Sequence, residues 1–411
     1  MHNLIISGLI LTLSMLVFAI GKSPVFRVDR AGIAIIGAAL TVGTGVMSFD
    51  QAAQAVDYRT IILLFSMMII TSYLNMSGFF QLAGNQFLSR LNGKNQLLFM
   101  VILITGILSA FFINDIVCLL LTPIVIMITR RARLNPTPYL LGVAAASNIG
   151  SAATLIGNPQ NILIESLSRI NFGWYMALAI PISLVGLVLI YVLLSWIYKE
   201  ELSGQLPEFQ PMTGVVHGYL VKKGLVVVFL VLVGFLMGFD PAIVASLGAA
   251  YLLITRRVKP NKIYRGIDFN LLVIFIGLFV IIGGVEHSGL LMLLMHTPWM
   301  KSVQNLQVFS ILTVVLSNIV SNVPAVMLLK YLVPVHMGHV WWAALAIFST
   351  VAGNLTLTGS IANLIVVELA KKENVEIKFL TYLKIGLPLT VSMVFIALLY
   401  FAIITKIFHI A

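Results

Sequence analysis

Long apolar runs alternate with short polar loops from one end of the chain to the other, and that pattern admits few folds. Each run is near the roughly 20 residues a helix needs to cross about 30 Å of hydrocarbon. Only 9% of the 411 residues are charged and 60% are hydrophobic, against roughly 25% charged in a soluble domain. The runs are continuous rather than alternating in polarity, which argues against a membrane β-barrel. The expected fold is an all-α polytopic membrane protein, with spans over 3–20, 31–47, 59–76, 138–165, 174–198, 224–239, 241–255, 269–285, 341–368 and 384–407. The first run lacks a basic leader and is long for a signal sequence, so it reads as a retained helix.

The net charge of +11 comes from basic residues in short loops at 21–30, 89–96, 130–133, 198–223, 256–265 and 371–378. This is the positive-inside pattern, not a nucleic-acid surface. It puts these loops in the cytoplasm and both termini outside a cytoplasmic (inner) membrane. The single cysteine, Cys118, excludes an intrachain disulfide and any multi-cysteine metal site, and reads as a small core residue. No HExxH or GxxxxGK[ST] motif occurs, and no nucleophile–base pair lies at matched depth, so an intramembrane enzyme is disfavoured. No cofactor is expected beyond a bound Na⁺.

The apolar stretch 97–128 has basic residues at both ends: Arg90 and Lys94 before it, Arg130, Arg131 and Arg133 after it. Both flanks belong on one side, so the stretch reads as a re-entrant hairpin with Asn114 and Asp115 at its tip. Irregular backbone at that depth is tolerated only inside protein or beside a wet cavity.

The two halves of the chain match. Asp29 and Gly37 pair with Asp240 and Gly248, and Asp57, Ser77 and Gly78 pair with Asp268, Ser288 and Gly289, all 211 residues apart (240 − 29 and 268 − 57). "FFINDIVCLLL" faces "IVSNVPAVMLL", aligning Asn114 with Asn322, and "TLIGNPQNIL" (154–163) faces "TLTGSIANLI" (356–365). Such order-preserving similarity marks a duplication. By the span count the halves have opposite topology, the arrangement of secondary transporters. The first repeat is 1–198, with hairpin 97–128 and broken helix 138–165. A linker follows at 199–223. The second repeat is 224–411, with hairpin 305–330 and broken helix 341–368.

Each interruption carries the residues of a helix start. Asn114, Asn158, Asn322 and Ser360 are candidate N-caps, and Pro159 and Pro324 fall in first turns, where a missing N–H costs little. Gly150, Gly157, Gly353 and Gly359 allow unwinding and close approach. Helix N-termini at the midplane suit an anion, and unwound carbonyls with Ser, Thr and Asn oxygens suit Na⁺. The expected solute site is Asn114, Asp115, Asn158, Asn161, Ser321, Asn322, Thr358, Ser360 and Asn363. Coupling of H⁺ or Na⁺ is assigned to Asp115, Ser147, Asn148, Gly157, Asn318, Asn354 and Gly359. Small polar residues also mediate plain helix packing. Asp115 is the only acid in the middle of an apolar run, at a cost of about 2.5–3.5 kcal/mol on insertion scales. It reads either as a proton or cation carrier or as a cap for its own hairpin helix. Glu165 and Glu368 fit snorkelling to the interface. Lys330 fits an interfacial anchor, and Glu286, His287, His336 and His339 fall outside the expected spans.

At these motifs the chain resembles a family. "FFINDIVCLLLTPIVI" resembles the "NDxxxLxLTPI" signature of arsenite permeases, and "ASNIGSAATLIGNPQNILI" is similar to a stretch shared by arsenite and citrate-type permeases. The resemblance covers nearly the whole chain. It implies the ion transporter superfamily fold: a homodimer in the lipid bilayer, with a scaffold domain and an elevator-type transport domain holding two re-entrant hairpins and two broken helices. In the sodium/dicarboxylate branch, Ser-Asn-Thr triplets at the hairpin tips bind Na⁺ and carboxylates; by position these fall on Ile113-Asn114-Asp115 and Ser321-Asn322-Val323. The second tip keeps Ser-Asn, whereas the first keeps only Asn and adds an acid, which moves the reading toward arsenite permeases. The expected function is secondary transport of a small anion or oxyacid coupled to H⁺ or Na⁺. A Na⁺/H⁺ antiporter using Asp115 and an anion channel are the alternatives.

Overall fold

In lipid every backbone N–H and C=O must find its partner within the segment, so apolar runs become helices. The computed structural model describes residues 2–21, 23, 26–88, 93–206, 216–255, 258–295, 303–334 and 338–407. The first half runs through α1 (His2–Ile20), α2 (Arg30–Gly43), α3 (Phe49–Ala55), α4 (Tyr58–Ser77), α5 (Phe79–Leu88), α6 (Lys94–Phe111), α7 (Asn114–Arg131), α8 (Thr137–Ser151), α9 (Pro159–Ser168) and α10 (Phe172–Ile197). After the short α11 (Lys199–Leu202), the second half follows with α12 (Gly218–Leu236), α13 (Pro241–Leu253), α14 (Pro260–Tyr264), α15 (Phe269–His287), α16 (Leu290–Met295), α17 (Leu306–Val320), α18 (Asn322–Leu329), α19 (Gly338–Ala352), α20 (Ile361–Lys372) and α21 (Phe379–Ile407). Seven of these helices are long and apolar enough to cross a membrane.

Four aspartates start four helices. Asp29, Asp57, Asp240 and Asp268 each accept a backbone N–H of the first turn of α2, α4, α13 and α15, which satisfies an otherwise orphaned donor. The helices so started pair in parallel. Gly37 of α2 lies against Ile281 of α15, and Gly277 of α15 lies against the Ala34 carbonyl. The absent Cβ atoms set that close approach. At the starts of α4 and α13, Arg59 pairs with Asp240. With α1 and α12 these helices form one packing group.

The second group is built from the two hairpins and the two interrupted helices. The α6–α7 hairpin turns at Phe112–Ile113 and the α17–α18 hairpin at Ser321. The first interruption lies between α8 and α9; the second, between α19 and α20, holds a 3-10 turn over Leu357–Gly359. Each packing group draws helices from both halves of the chain. The groups meet where α9 packs on α4, α17 on α1 and α18 on α15.

Several boundaries differ from expectation. The linker is shorter, because α12 begins at Gly218 and its basic start is helical. Lys223 explains the shift: its Nζ donates at 2.9 Å to each of the Tyr251 and Ile254 carbonyls at the end of α13, and it lies over the Tyr251 ring. Glu286 and His287 end α15 instead of lying in a loop, and Tyr331 donates to Glu286 at 2.8 Å. The short helices α3, α5, α11, α14 and α16 have too few residues for a periodic signal. Arg90, Pro207, Pro211 and His336 lie outside the described residues.

Candidate transport site

The two interruptions start their second helices by capping. Asn158 accepts the Asn161 N–H at 2.8 Å, and Ser360 accepts the Ala362 N–H at 3.2 Å. One turn in, two asparagines hold the unwound segments in the same way. Asn161 Nδ2 donates to the Ser151 and Thr154 carbonyls at 3.3 and 2.9 Å. Asn363 Nδ2 donates to the Gly353 and Thr356 carbonyls at 2.8 and 3.2 Å. These carbonyls are the groups that a broken helix leaves without intrahelical partners.

The breaks also lock onto each other. Asn148, in the last turn of α8, donates to Asn363 Oδ1 at 3.0 Å and to Asn354 Oδ1 at 2.9 Å. Thr350, in the last turn of α19, donates to Asn161 Oδ1 at 3.4 Å and accepts from Asn158 and Gln160. Tyr175 of α10 and Tyr382 of α21 complete the two sides, bonded to Asn161 and Asn354 respectively. Every one of these residues is buried.

The first hairpin tip joins this network directly. Asn114 donates its backbone N–H to the Gly157 carbonyl at 2.9 Å and its side-chain amide to Asn148 Oδ1 at 3.2 Å. Asn148 Oδ1 also receives Ser360 at 3.0 Å. Close approach is built in: a Cβ on Gly150 would collide with the Gly106 carbonyl, and one on Gly157 would stand 2.7 Å from the Ser109 carbonyl. The second tip reaches the same centre, with the Asn322 amide nitrogen beside Gly353.

Two expected caps are not caps. Asn114 and Asn322 each stand one residue inside their helix, behind Ile113 and Ser321. At the first tip the bond to Gly157 draws the Asn114 N–H outward, so the helix begins a residue early. At the second, Ser321 takes φ 78, a conformation costing a non-glycine residue about 1–3 kcal/mol and characteristic of working sites. The side chains are thereby freed from their own helices. Asn114 Oδ1 and Asn322 Oδ1 are both buried without a hydrogen-bond donor, and so are the hydroxyls of Ser109 and Ser317 five residues earlier in each hairpin. Buried polar atoms are almost always satisfied, so four unsatisfied oxygens at matched places point to a missing guest.

The other expected residues sort by use. Asn318 spends its amide on the Val314 and Ala352 carbonyls and accepts from Thr356. Asn354 also donates to the Ala145 carbonyl, and Ser147 to the Ala144 carbonyl. Gly359 packs against Asn318 Oδ1. Ser321 lies at the second tip and is half-buried. Thr358 is not part of the network: the 3-10 turn points it outward, exposed, with only Thr356 as partner. Asp115 is half-buried and accepts no hydrogen bond among the described residues, so it does not cap its helix. Arg30 and Asp268 are the charges within its electrostatic reach. Sequence reasoning did not single out Ser109, Ser317, Thr350, Tyr175 or Tyr382. The offset linking Asn114 to Asn322 also links Ser109 to Ser317 (322 − 114 = 317 − 109 = 208), and that signal marks the two serines.

Comparison with known proteins agrees with this architecture. The chain is 28% identical to transporter arsB of Dictyostelium discoideum, over 90% of this chain and 86% of that protein. It is 28% identical to the silicon efflux transporter LSI3 of Oryza sativa subsp. japonica, over 89% and 91% of the two chains. Its fold resembles the crystal structure of the Alcanivorax borkumensis YdaH transporter, described as having an unusual topology, with a TM-score of 0.55 at 15% identity over 98% of both chains. A family model described as citrate transporter (CitMHS) matches residues 15–352. The chain belongs to that citrate transporter family, whose members are membrane transporters rather than enzymes.

Proposed function

We propose that the protein is a secondary transporter for a small oxyacid or carboxylate anion, coupled to H⁺ or Na⁺ and working by an elevator motion. The observation that carries this reading is the set of four buried oxygens without partners: Ser109 with Asn114, and Ser317 with Asn322. Amide oxygens accept only, so they fit a guest that brings O–H groups or a cation. A fully ionised carboxylate brings neither. Na⁺ would meet Ser and Asn oxygens together with the carbonyls freed by the breaks. A neutral or partly protonated oxyacid would donate to the same oxygens and place its own oxygens on the helix starts at Asn114, Pro159, Asn322 and Ile361. The names of two relatives, arsB and a silicon efflux transporter, favour an oxyacid; the family description favours citrate.

In this reading the two halves are inverted repeats. The group of α1, α2, α4, α12, α13 and α15 is the scaffold, and the group of hairpins and broken helices carries the solute. The Asp268 end faces the cytoplasm, both termini lie outside, and two copies associate through the scaffold in the inner membrane. The test is uptake by proteoliposomes offered arsenite, silicic acid, citrate, succinate, sulfate and phosphate under separately imposed H⁺, Na⁺ and voltage gradients. Concentrative, saturable uptake of one of these is expected. Absence of uptake of all six under every gradient sinks the reading.

Asp115 supports a second reading, a Na⁺/H⁺ antiporter. Its carboxylate has no hydrogen-bond donor and lies near the tip, with Arg30 in electrostatic range. Na⁺-driven proton flux without any solute flux, lost in Asp115→Asn, favours that alternative.

A further inference from the structure

The two ends of the boundary between the packing groups are not equivalent. At one end Ser166 of α9 donates to Asp57 Oδ2 of α4 at 2.5 Å, Thr60 donates to the same oxygen at 2.7 Å, and the Arg59–Asp240 ion pair closes the corner. Counted through the repeat, the matching corner joins Glu368 of α20 to Asp268 of α15. Both residues are exposed, and among the described residues α20 does not pack on α15 as α9 packs on α4. The hairpins are offset in the same sense. Asp115, at the tip of the first, lies within electrostatic reach of Asp268, whereas it is Lys330, at the base of the second, that lies within reach of Asp57. The structure is therefore a state with the Asp57 corner shut and the Asp268 corner open.

Glu165 sits inside the shut corner. It is 8% exposed, and its carboxyl group has no hydrogen-bond partner among the described residues. The charged groups around it are Asp57 and Arg59 from α4, Asp240 from α13 and Arg169 at the end of its own helix. From α18, Lys330 is directed at Asp57 and Glu286. His339, at the start of α19, stands edge-on to Trp174. Arg59 is engaged with Asp240, and Arg169 is exposed. An ionised Glu165 would thus be a buried carboxylate beside two others with no donor of its own, which is strongly disfavoured. A neutral carboxyl group fits the same space. Opening the corner admits water and lets the group ionise.

We propose that the α9–α4 corner is a proton-operated latch: it closes with a proton on Glu165 and opens when that proton leaves. The proposal rests on the two-group transporter reading above, and it ties movement between the groups to the proton on a residue outside the solute site. No step requires any co-reactant but water and a proton.

The test is hydrogen–deuterium exchange of the full-length protein in lipid nanodiscs, without solute, followed in residues 57–61 and 165–169 and corrected for the intrinsic pH dependence of exchange. In the wild type, protection of both segments is expected to fall at least about tenfold between about pH 6 and about pH 9. Glu165→Gln, permanently neutral, is expected to keep both segments protected throughout. Asp57→Asn removes a neighbouring negative charge and is expected to move the wild-type transition to lower pH, a readout that survives if Glu165→Gln fails to fold. Protection independent of pH in the wild type, an unchanged transition in Glu165→Gln, or an unmoved transition in Asp57→Asn each overturns the latch. Because no solute is involved, a protein that transports none of the panel yet opens as described loses the functional reading and keeps the latch.

Discussion

Asn148 and Asn363 meet across the two broken helices at 3.0 Å, although 215 residues separate them in sequence. The bond is one of a matched pair. Thr350 takes the place of Asn148 in the second repeat and reaches Asn161, the counterpart of Asn363. The interrupted backbones are therefore held by side chains from the opposite half, and neither half can keep its break without the other.

Asn148→Ala is the first variant this arrangement bears on. It strands the Asn114 amide and the Ser360 hydroxyl, and it deprives Asn354 Oδ1 and Asn363 Oδ1 of a donor. Each buried group left unpaired costs about 1–3 kcal/mol. With some repacking, a loss of about 3 kcal/mol or more is expected, together with loss of transport. Asn148→Ser, which retains a donor and an acceptor, should recover part of the stability. Thermal unfolding in detergent ranks the three proteins, and equal stability of wild type and Asn148→Ala would contradict the junction.

Gly150→Ala tests the contact between the first hairpin and its break. The added methyl collides with backbone of Gly106 rather than with a movable side chain, so relief requires α6 to move off α8. Overpacking of this kind costs typically 1–3 kcal/mol and more against rigid backbone. Gly43→Ala has open space around the new methyl and serves as the control, with a change within about 0.5 kcal/mol. A destabilised Gly150→Ala beside an unaffected Gly43→Ala is the expected result.

Much of this was legible in the sequence, for reasons that particular residues make plain. The caps at Asn158 and Ser360 sit next to glycines in polar stretches within long apolar runs, so local chemistry marks them. The aspartate pairs Asp29–Asp240 and Asp57–Asp268 repeat at a fixed offset because each starts a helix that a duplication copied. Asn114 and Asn322 were placed at the tips but given the wrong task, since a single backbone bond from the Asn114 N–H to Gly157 decides where α7 begins. Tertiary contacts of that sort leave no local pattern. Thr358 looked equivalent to its neighbours in composition, and only the 3-10 turn turns it outward. Ser109 and Ser317 were hidden because a serine in a membrane helix ordinarily bonds its own backbone. Ser147 and Ser349 do so here; Ser109 and Ser317 do not.

Asp115 has no counterpart in the second repeat, where Val323 occupies the matching position. Asp115→Asn keeps the size of the side chain and removes its charge. The expected outcome is a folded protein whose gradient-driven uptake falls at least about tenfold and loses its dependence on pH, while exchange of solute between equal pools persists. That split assigns the carboxylate to coupling rather than to holding the solute. Unchanged concentrative uptake in Asp115→Asn would remove the residue from the coupling path.

Ser109→Ala and Ser317→Ala set stability against function. Both hydroxyls are buried without partners, and a buried hydroxyl that makes no hydrogen bond costs roughly 1–3 kcal/mol on mutational scales. Replacing it with hydrogen, at nearly constant shape, should therefore leave the empty protein as stable or raise its stability by about 1 kcal/mol. The effect should reverse once the guest is bound, because the variant then lacks a ligand oxygen. The stabilisation that solute or Na⁺ gives to the wild type follows from mass action, and it should shrink in each single variant and vanish in the double variant. Melting curves with and without candidate solutes and Na⁺ supply the comparison, and transport should fall about tenfold for each serine lost. If the alanine variants are destabilised when empty and respond to the guest like the wild type, the two hydroxyls belong to the packing and the place for the guest lies elsewhere.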